Sequence, residues 1–196
     1  MTEWDAPWRT AQASARRRLP PAGMSAVEQL LAYEQIRQLA SRYALAVNLR
    51  DLDALVELFV EDVRAGRDGR GRDELKDVFR SHMRAAGVDV LQVTTHVIDL
   101  LDAEHATGTV YSRCDMGDIH EWGHQLIAYE DVYERRDGLW YFVSRDHLLF
   151  YGVIQSEASP LDQEPAHWPR RTVGRGSVPY DWPSWQAFRQ AAGPVE

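Results

Sequence analysis

The chain has 196 residues, enough for one compact domain with terminal extensions and too few for two full domains. Hydrophobic residues at 44% and charged residues at 27% exclude a disordered or fibrous chain, and no apolar run reaches the ~18 residues of a membrane helix. Acidic side chains outnumber basic ones 30 to 22, and the net charge of −8 repels nucleic-acid backbones, so neither nucleic acid nor a membrane is expected as a partner.

The single cysteine, Cys114, excludes an internal disulfide and a cysteine-rich zinc cluster. The N-terminal segment has arginines but no apolar core of a secretory signal, so a cytoplasmic protein is expected. Residues 1–23 hold Arg16, Arg17, Arg18 and the pair Pro20-Pro21 without any period, and read as a mobile arm.

The core domain is expected over residues 24–154. It opens with Ser25-Ala-Val-Glu28, an S-x-x-E capping box that satisfies the first amide protons of a helix. Ile36, Leu39, Tyr43 and Val47 then recur at helical spacing and predict about six turns with one buried stripe. Asn48 to Arg50 break that helix, and Asp51 is the expected N-cap of a second one carrying Leu52, Leu55, Val56, Phe59 and Val60. Gly66, Gly69 and Gly71 mark a loop, and a third helix is expected from Asp73 to Ala86.

After Gly87 the period changes. Val90 to Leu101 and Ala106 to Cys114 are rich in β-branched and aromatic residues. Leu126 to Arg135 and Leu139 to Tyr151 flank Asp137-Gly138 as a hairpin. Three helices followed by four strands predict an α+β fold, with helices packed on one face of a curved antiparallel sheet. Residues 155–196, with six prolines together with Trp168, Trp182 and Trp185, are expected to lack long regular elements and to wrap over the domain or a neighbouring subunit.

One motif points to a different chemistry. His120-Glu121-Trp122-Gly123-His124 fits H-E-x-x-H, which on a helix sets two imidazoles around zinc with the glutamate as base. A third ligand is missing downstream, and the strand signal that follows favours a polar connection between two strands over a zinc hydrolase.

The stretch from Ile36 through Tyr43, Asn48, Asp51 and Asp53 to Asp62, then Thr95-His96, then Tyr129-Glu-Asp131-Val-Tyr133 and Asp137-Gly138-Leu-Trp140, resembles the SnoaL-like proteins. These belong to the nuclear-transport-factor-like superfamily, in the branch with scytalone dehydratase, bile-acid dehydratase and hexachlorocyclohexane dehydrochlorinase. The resemblance covers about residues 26–152. It implies a cone-shaped half-barrel with an apolar cavity, no cofactor, no metal, and a homodimer or homotrimer. It further implies a lyase, isomerase or cyclase acting on a hydrophobic oxygenated molecule such as a polyketide, steroid or terpenoid, or a non-catalytic binding or assembly module.

Carried over residue by residue, the resemblance assigns His96 as general base, Tyr43 as a group that polarises oxygen, and Arg145 as stabiliser of a leaving anion. Asn48 stands where the family has the aspartate that orients the histidine, so a weaker base is expected at His96. Cys114 and Met116 fall near two further polar pocket positions of the family, and Tyr129 and His147 are pocket candidates from strand parity. Each has a plainer reading: His96 as a hydrogen-bonded structural histidine, Tyr43 as core, Asn48 as a helix C-cap and Arg145 as partner of a carboxylate.

Overall fold

The structure is a computed structural model that describes residues 7–16, 18–66, 69–155, 162, 164–165 and 183–192. Helix α1 spans Ala26–Leu49. It starts where the capping box predicts, with the Ser25 hydroxyl accepting from the Glu28 amide and the Glu28 carboxylate accepting from the Ser25 amide. Its end is capped by Arg50 in the left-handed region (φ 57°), whose amide returns to Ala46 and Val47. Asn48 is still helical, so the expectation that it caps the helix is corrected.

Asp51 caps α2, Leu52–Glu57, through the Ala54 amide. This helix is shorter than its apolar pattern predicts. Phe59 and Val60 leave it because the Leu58 carbonyl accepts from the Phe142 amide and the Val60 amide donates to the Phe142 carbonyl, extending the edge of the sheet. A two-residue pair, β1 (Arg64–Ala65) and β2 (Gly69–Arg70), forms within the expected glycine loop. Helix α3 follows as Arg72–Ala86.

Four long antiparallel strands complete the domain: β3 Val88–Leu100, β4 His105–Gly117, β5 Trp122–Arg136 and β6 Leu139–Ile154, in spatial order β3-β4-β5-β6. Asp137 and Gly138, both at positive φ, turn β5 into β6 as the Asp-Gly dipeptide predicts. The sheet is open and not a closed barrel, and its concave face packs on α1 through Ile36, Ala40, Tyr43, Val110, Tyr133 and Phe142, all buried. Irregularities at Val93/Thr95, Leu126/Ile127 and Val132/Tyr133 bend it. No helix among the described residues is long and apolar enough to cross a membrane.

The described parts of both termini pack on the domain. Pro7–Thr10 make a single 3-10 turn, the Trp8 ring stacks 4.1 Å from His105, the Gln12 side chain donates to Glu130 at 2.6 Å, and the Ser14 amide donates to Asp99 at 2.6 Å. Carboxylates of the sheet take the donors of an otherwise aperiodic segment. At the other end Pro183–Ala192 form α4, with proline at the first helical position, where it costs no hydrogen bond. Trp185 is buried against Val88 and Trp122, and Phe188 packs on the main core. Trp168 and Trp182 lie outside the described residues.

Candidate functional site

The concave sheet and helices α1 and α3 enclose a cavity of about 990 Å³. Val47, Phe59, Leu75, Phe79, Met83, Leu91 and Ile127 make it largely apolar, and Arg9 and Thr10 of the N-terminal segment reach its wall. Its polar groups are few and unevenly placed, the pattern of a site that orients one small molecule.

Arg145, on β6, is the strongest of them. Its side chain is 3% exposed and faces a fully buried Asp131 on β5. Nε donates to Asp131 Oδ1 and Nη2 to Oδ2, each at 2.8 Å, a bidentate fork. The guanidinium carbon also lies 4.3 Å from the Tyr43 ring centre, 4.2 Å from Tyr129 and 4.5 Å from Phe142. Burial works against the Arg145 charge, but the Asp131 carboxylate outweighs it and raises the pKa above the ordinary arginine value. The fork uses two of the three guanidinium nitrogens, and Arg145 is among the residues that line the cavity.

Tyr43 and Tyr129 flank this cation, with ring centres 5.8 Å apart in an edge-to-face arrangement. Burial raises the pKa of both, so both stay neutral hydroxyl donors. His147 stands 5.7 Å from Tyr129, exposed at the cavity wall. Cys114 and Met116 also line the cavity. Burial, then the nearby Asp89 charge, pushes the Cys114 thiol up to about 12, which makes it an inert wall group rather than a nucleophile.

The structure does not bring His96 and Asn48 together. Asn48 spends its side-chain amide on the backbone of Leu91, donating to the carbonyl at 3.2 Å and accepting from the amide at 2.8 Å. The expectation that it orients His96 is corrected: the strand residue beside Asn48 is a leucine. His96 shares a cross-strand row with Val110, Tyr129 and His147 but is not among the cavity-lining residues; its Nε2 lies 3.0 Å from the Tyr133 hydroxyl, which itself donates to Asp131 at 2.7 Å. Since that hydroxyl proton is committed, Nε2 carries the imidazole proton and Tyr133 accepts it. Burial lowers the His96 pKa to about 4, partly opposed by Asp131, so the ring is neutral at pH 7. Gly108 makes room here: a Cβ at that position would meet the Tyr133 hydroxyl at 2.8 Å and His96 Nε2 at 3.1 Å.

The H-E-x-x-H segment is not helical. His120 and Glu121 sit in the β4–β5 turn, where the Asp118 carboxylate accepts from both backbone amides, and His124 is already in β5. A strand does not stack residues four apart around one metal, and no group of three His, Cys, Asp or Glu among the described residues is placed to hold one.

Two site residues escape the motif-based reading. Asp131 shares the inward parity of Tyr129 and Tyr133, and an acid at a buried strand position demands a cationic partner, a signal available in the sequence. Asp89, at the start of β3, lines the cavity beside Leu91 and pairs with the buried Arg50 at 2.9 Å. Nothing local marks it, because its inward direction depends on where β3 begins.

The fold is α+β, with an open antiparallel sheet and a largely apolar cavity lined by a buried arginine and two tyrosines. The SnoaL-like domain profile matches residues 28–146, and the chain belongs to that family. No curated protein sequence matches it. Among solved structures, it is similar to a hexachlorocyclohexane dehydrochlorinase from Novosphingobium barchaimii, at 19% identity over 67% of this chain and 95% of that one, with a TM-score of 0.61. A putative scytalone dehydratase from Novosphingobium aromaticivorans gives 17% identity, 69% and 95% coverage and a TM-score of 0.59. A Mycobacterium tuberculosis protein of unknown function gives 25% identity, 66% and 78% coverage and a TM-score of 0.56. At these identities the likeness is one of fold.

Proposed function

We propose that the protein is a cofactor-independent lyase, isomerase or cyclase that acts on a hydrophobic oxygenated small molecule held in the cavity. The observation that carries this reading is Arg145: a buried guanidinium fixed by Asp131, ringed by aromatic faces, with one nitrogen outside the fork. A preorganised donor of this kind in a dry site stabilises an enolate oxygen or a departing anion, and typically contributes a factor of ~100 or more. Tyr43 and Tyr129, kept neutral, supply further donors. The imidazole offered at the cavity wall beside them is His147, and proton abstraction passes from His96 to that residue in this scheme.

Exchange of α-hydrogens for solvent deuterium in a panel of apolar ketones and β-hydroxy ketones, followed by NMR, tests the reaction without requiring the natural substrate. The wild type is expected to accelerate exchange, Arg145→Met to abolish it, His147→Ala to slow it, and His96→Ala to leave most of it. Loss of exchange in His96→Ala with normal folding would restore His96 as the base.

A second reading, a binding module without catalysis, is favoured by one feature: Leu91 occupies the place beside Asn48 where a dyad would need an acid–base partner. Saturable ligand binding with no exchange for any ketone would select it.

We also propose a homodimer or homotrimer assembled through the outer face of the sheet. Tyr111, Ala128 and Leu148 share one cross-strand row, the Phe150 ring packs 5.5 Å from Tyr111, and Val97 lies on the same face. Tyr111, Leu148, Phe150 and Val97 are exposed, an apolar set that a second copy of the chain would bury.

A further inference from the structure

The cavity has a second polar end that the role of Arg145 leaves unused. Arg145 pairs across to Asp131 in the register of β5, while Asp89 lies opposite Met116, whose own partner on β5 is Gly123. The run of strand between Asp131 and Gly123 amounts to about 26 Å at roughly 3.3 Å per residue, so the two charged side chains enter the same cavity from opposite ends. Tyr43, Val47, Leu91 and Ile127 are among the walls between them.

Asp89 is incompletely satisfied. Its side chain is 10% exposed, and Oδ2 takes a hydrogen-bonding contact from Arg50 Nη1 at 2.9 Å. Arg50 is itself fully buried and divided among three acceptors, since Nη1 also donates to the Val47 carbonyl at 3.0 Å and Nη2 to the Gly87 carbonyl at 2.6 Å. Asp89 Oδ1 is buried with no partner among the described residues. A carboxylate oxygen left bare in this way costs ~1–3 kcal/mol, and the Cβ–Cγ torsion that would turn it is a soft one. Burial raises the Asp89 pKa against the pull of Arg50, the mark of a carboxylate whose hydrogen bonding is unfinished.

We infer that Asp89 recognises the ligand: it accepts a hydrogen bond from a hydroxyl at one end of an elongated apolar molecule whose other end presents an oxygen to Arg145. A neutral hydroxyl fits better than an ammonium. The Asp89 charge is already balanced by Arg50, so a cation entering this apolar wall would lose its hydration without finding an unpaired anion. The inference rests on the small-molecule reading of the cavity and adds the polarity pattern of the ligand to it.

Two probes separate the possibilities: hexadecan-2-one, with an acceptor at one end, and 16-hydroxyhexadecan-2-one, which adds a hydroxyl at the other and is on the order of 20 Å long when extended, enough to reach both groups through hydrogen bonds. Titration calorimetry is expected to show the hydroxylated probe binding the wild type roughly tenfold more tightly, a difference of ~1.4 kcal/mol. Asp89→Asn should shrink that preference. Because it strands the buried Arg50 charge, the neutral pair Arg50→Met with Asp89→Leu is the decisive protein, and it should bind both probes alike. Equal binding of the two probes by the wild type, or a preference that survives in the double variant, overturns the assignment. In either case binding of hexadecan-2-one that disappears in Arg145→Met leaves the cavity reading intact, whereas a wild type that binds neither probe removes both.

Discussion

A buried neutral imidazole makes folding compete with protonation. The folded pKa of His96 is about 4, against 6.5 for the free side chain. Between those values the unfolded chain binds a proton that the folded chain excludes, so stability falls as pH drops from about 6.5 and the loss is complete near pH 4. Allowing for the partial exposure of the ring, the loss is on the order of 2 kcal/mol. Urea unfolding of wild type and His96→Gln at pH 7 and pH 4.5 should show a shallower acid dependence in the variant; parallel profiles would mean that folding leaves the His96 pKa unshifted. Arg145 and Asp131 obey a different rule. Arg145→Met leaves a bare buried carboxylate and should cost ~3–5 kcal/mol, while Arg145→Met with Asp131→Leu should cost clearly less. Chemical denaturation of both variants measures the difference. Asp131 is also where residue-level legibility narrowed: Tyr43 and Arg145 were nameable from the sequence as pocket groups, but the carboxylate that anchors Arg145 was marked only by strand parity.

Helix α1 and strand β3 are joined at their ends by one side chain. Asn48 bridges the carbonyl and amide of Leu91 as a strand neighbour would. Asn48→Ala should therefore lower stability by ~1–3 kcal/mol. Asn48→Asp, which restores the family residue, keeps only the acceptor and sets a carboxylate oxygen against the Leu91 carbonyl, so it should be no more stable than the alanine variant and should add no activity. A rise in ketone exchange with Asn48→Asp would show that an imidazole does approach this position. Helix α4 is held chiefly by Trp185 and Phe188. Trp185→Ala is expected to raise hydrogen exchange throughout residues 183–192 while the β4–β5 amides stay protected, because a terminal element detaches as a local unit. The helices and the hairpin turn followed from capping, spacing and turn chemistry. The early end of α2 did not, since the sheet edge drew Leu58 to Val60 into pairing and overrode a helical apolar pattern.

At the scale of the whole molecule, an acidic chain carries an apolar stripe on the outside of its sheet. Charge repulsion between copies of net charge −8 is weakened by salt, whereas burial of Tyr111 and Leu148 is not. Sedimentation at low and at physiological salt should find an assembly that tightens with salt, and Tyr111→Glu with Leu148→Glu should sediment as a monomer with an unchanged circular dichroism spectrum. A wild-type monomer at all salt concentrations would refute the proposed assembly.

The features legible along the chain were local and periodic: the capping box of α1, the stripe from Ile36 to Val47, the Asp-Gly turn, the change of period after Gly87, and the family to which these belong. Such features depend on residues within a few positions of one another, where the physics is short-range. The tertiary structure alone decided which polar groups share a space. His96 met Tyr133 in the space that Gly108 leaves. Asn48 met Leu91, the H-E-x-x-H motif opened into a turn and a strand, and Asp89 and Arg145 came to face one cavity from its two ends. Strand register converts a one-residue difference into the opposite face of the sheet, so site membership follows from long-range pairing that no single segment encodes.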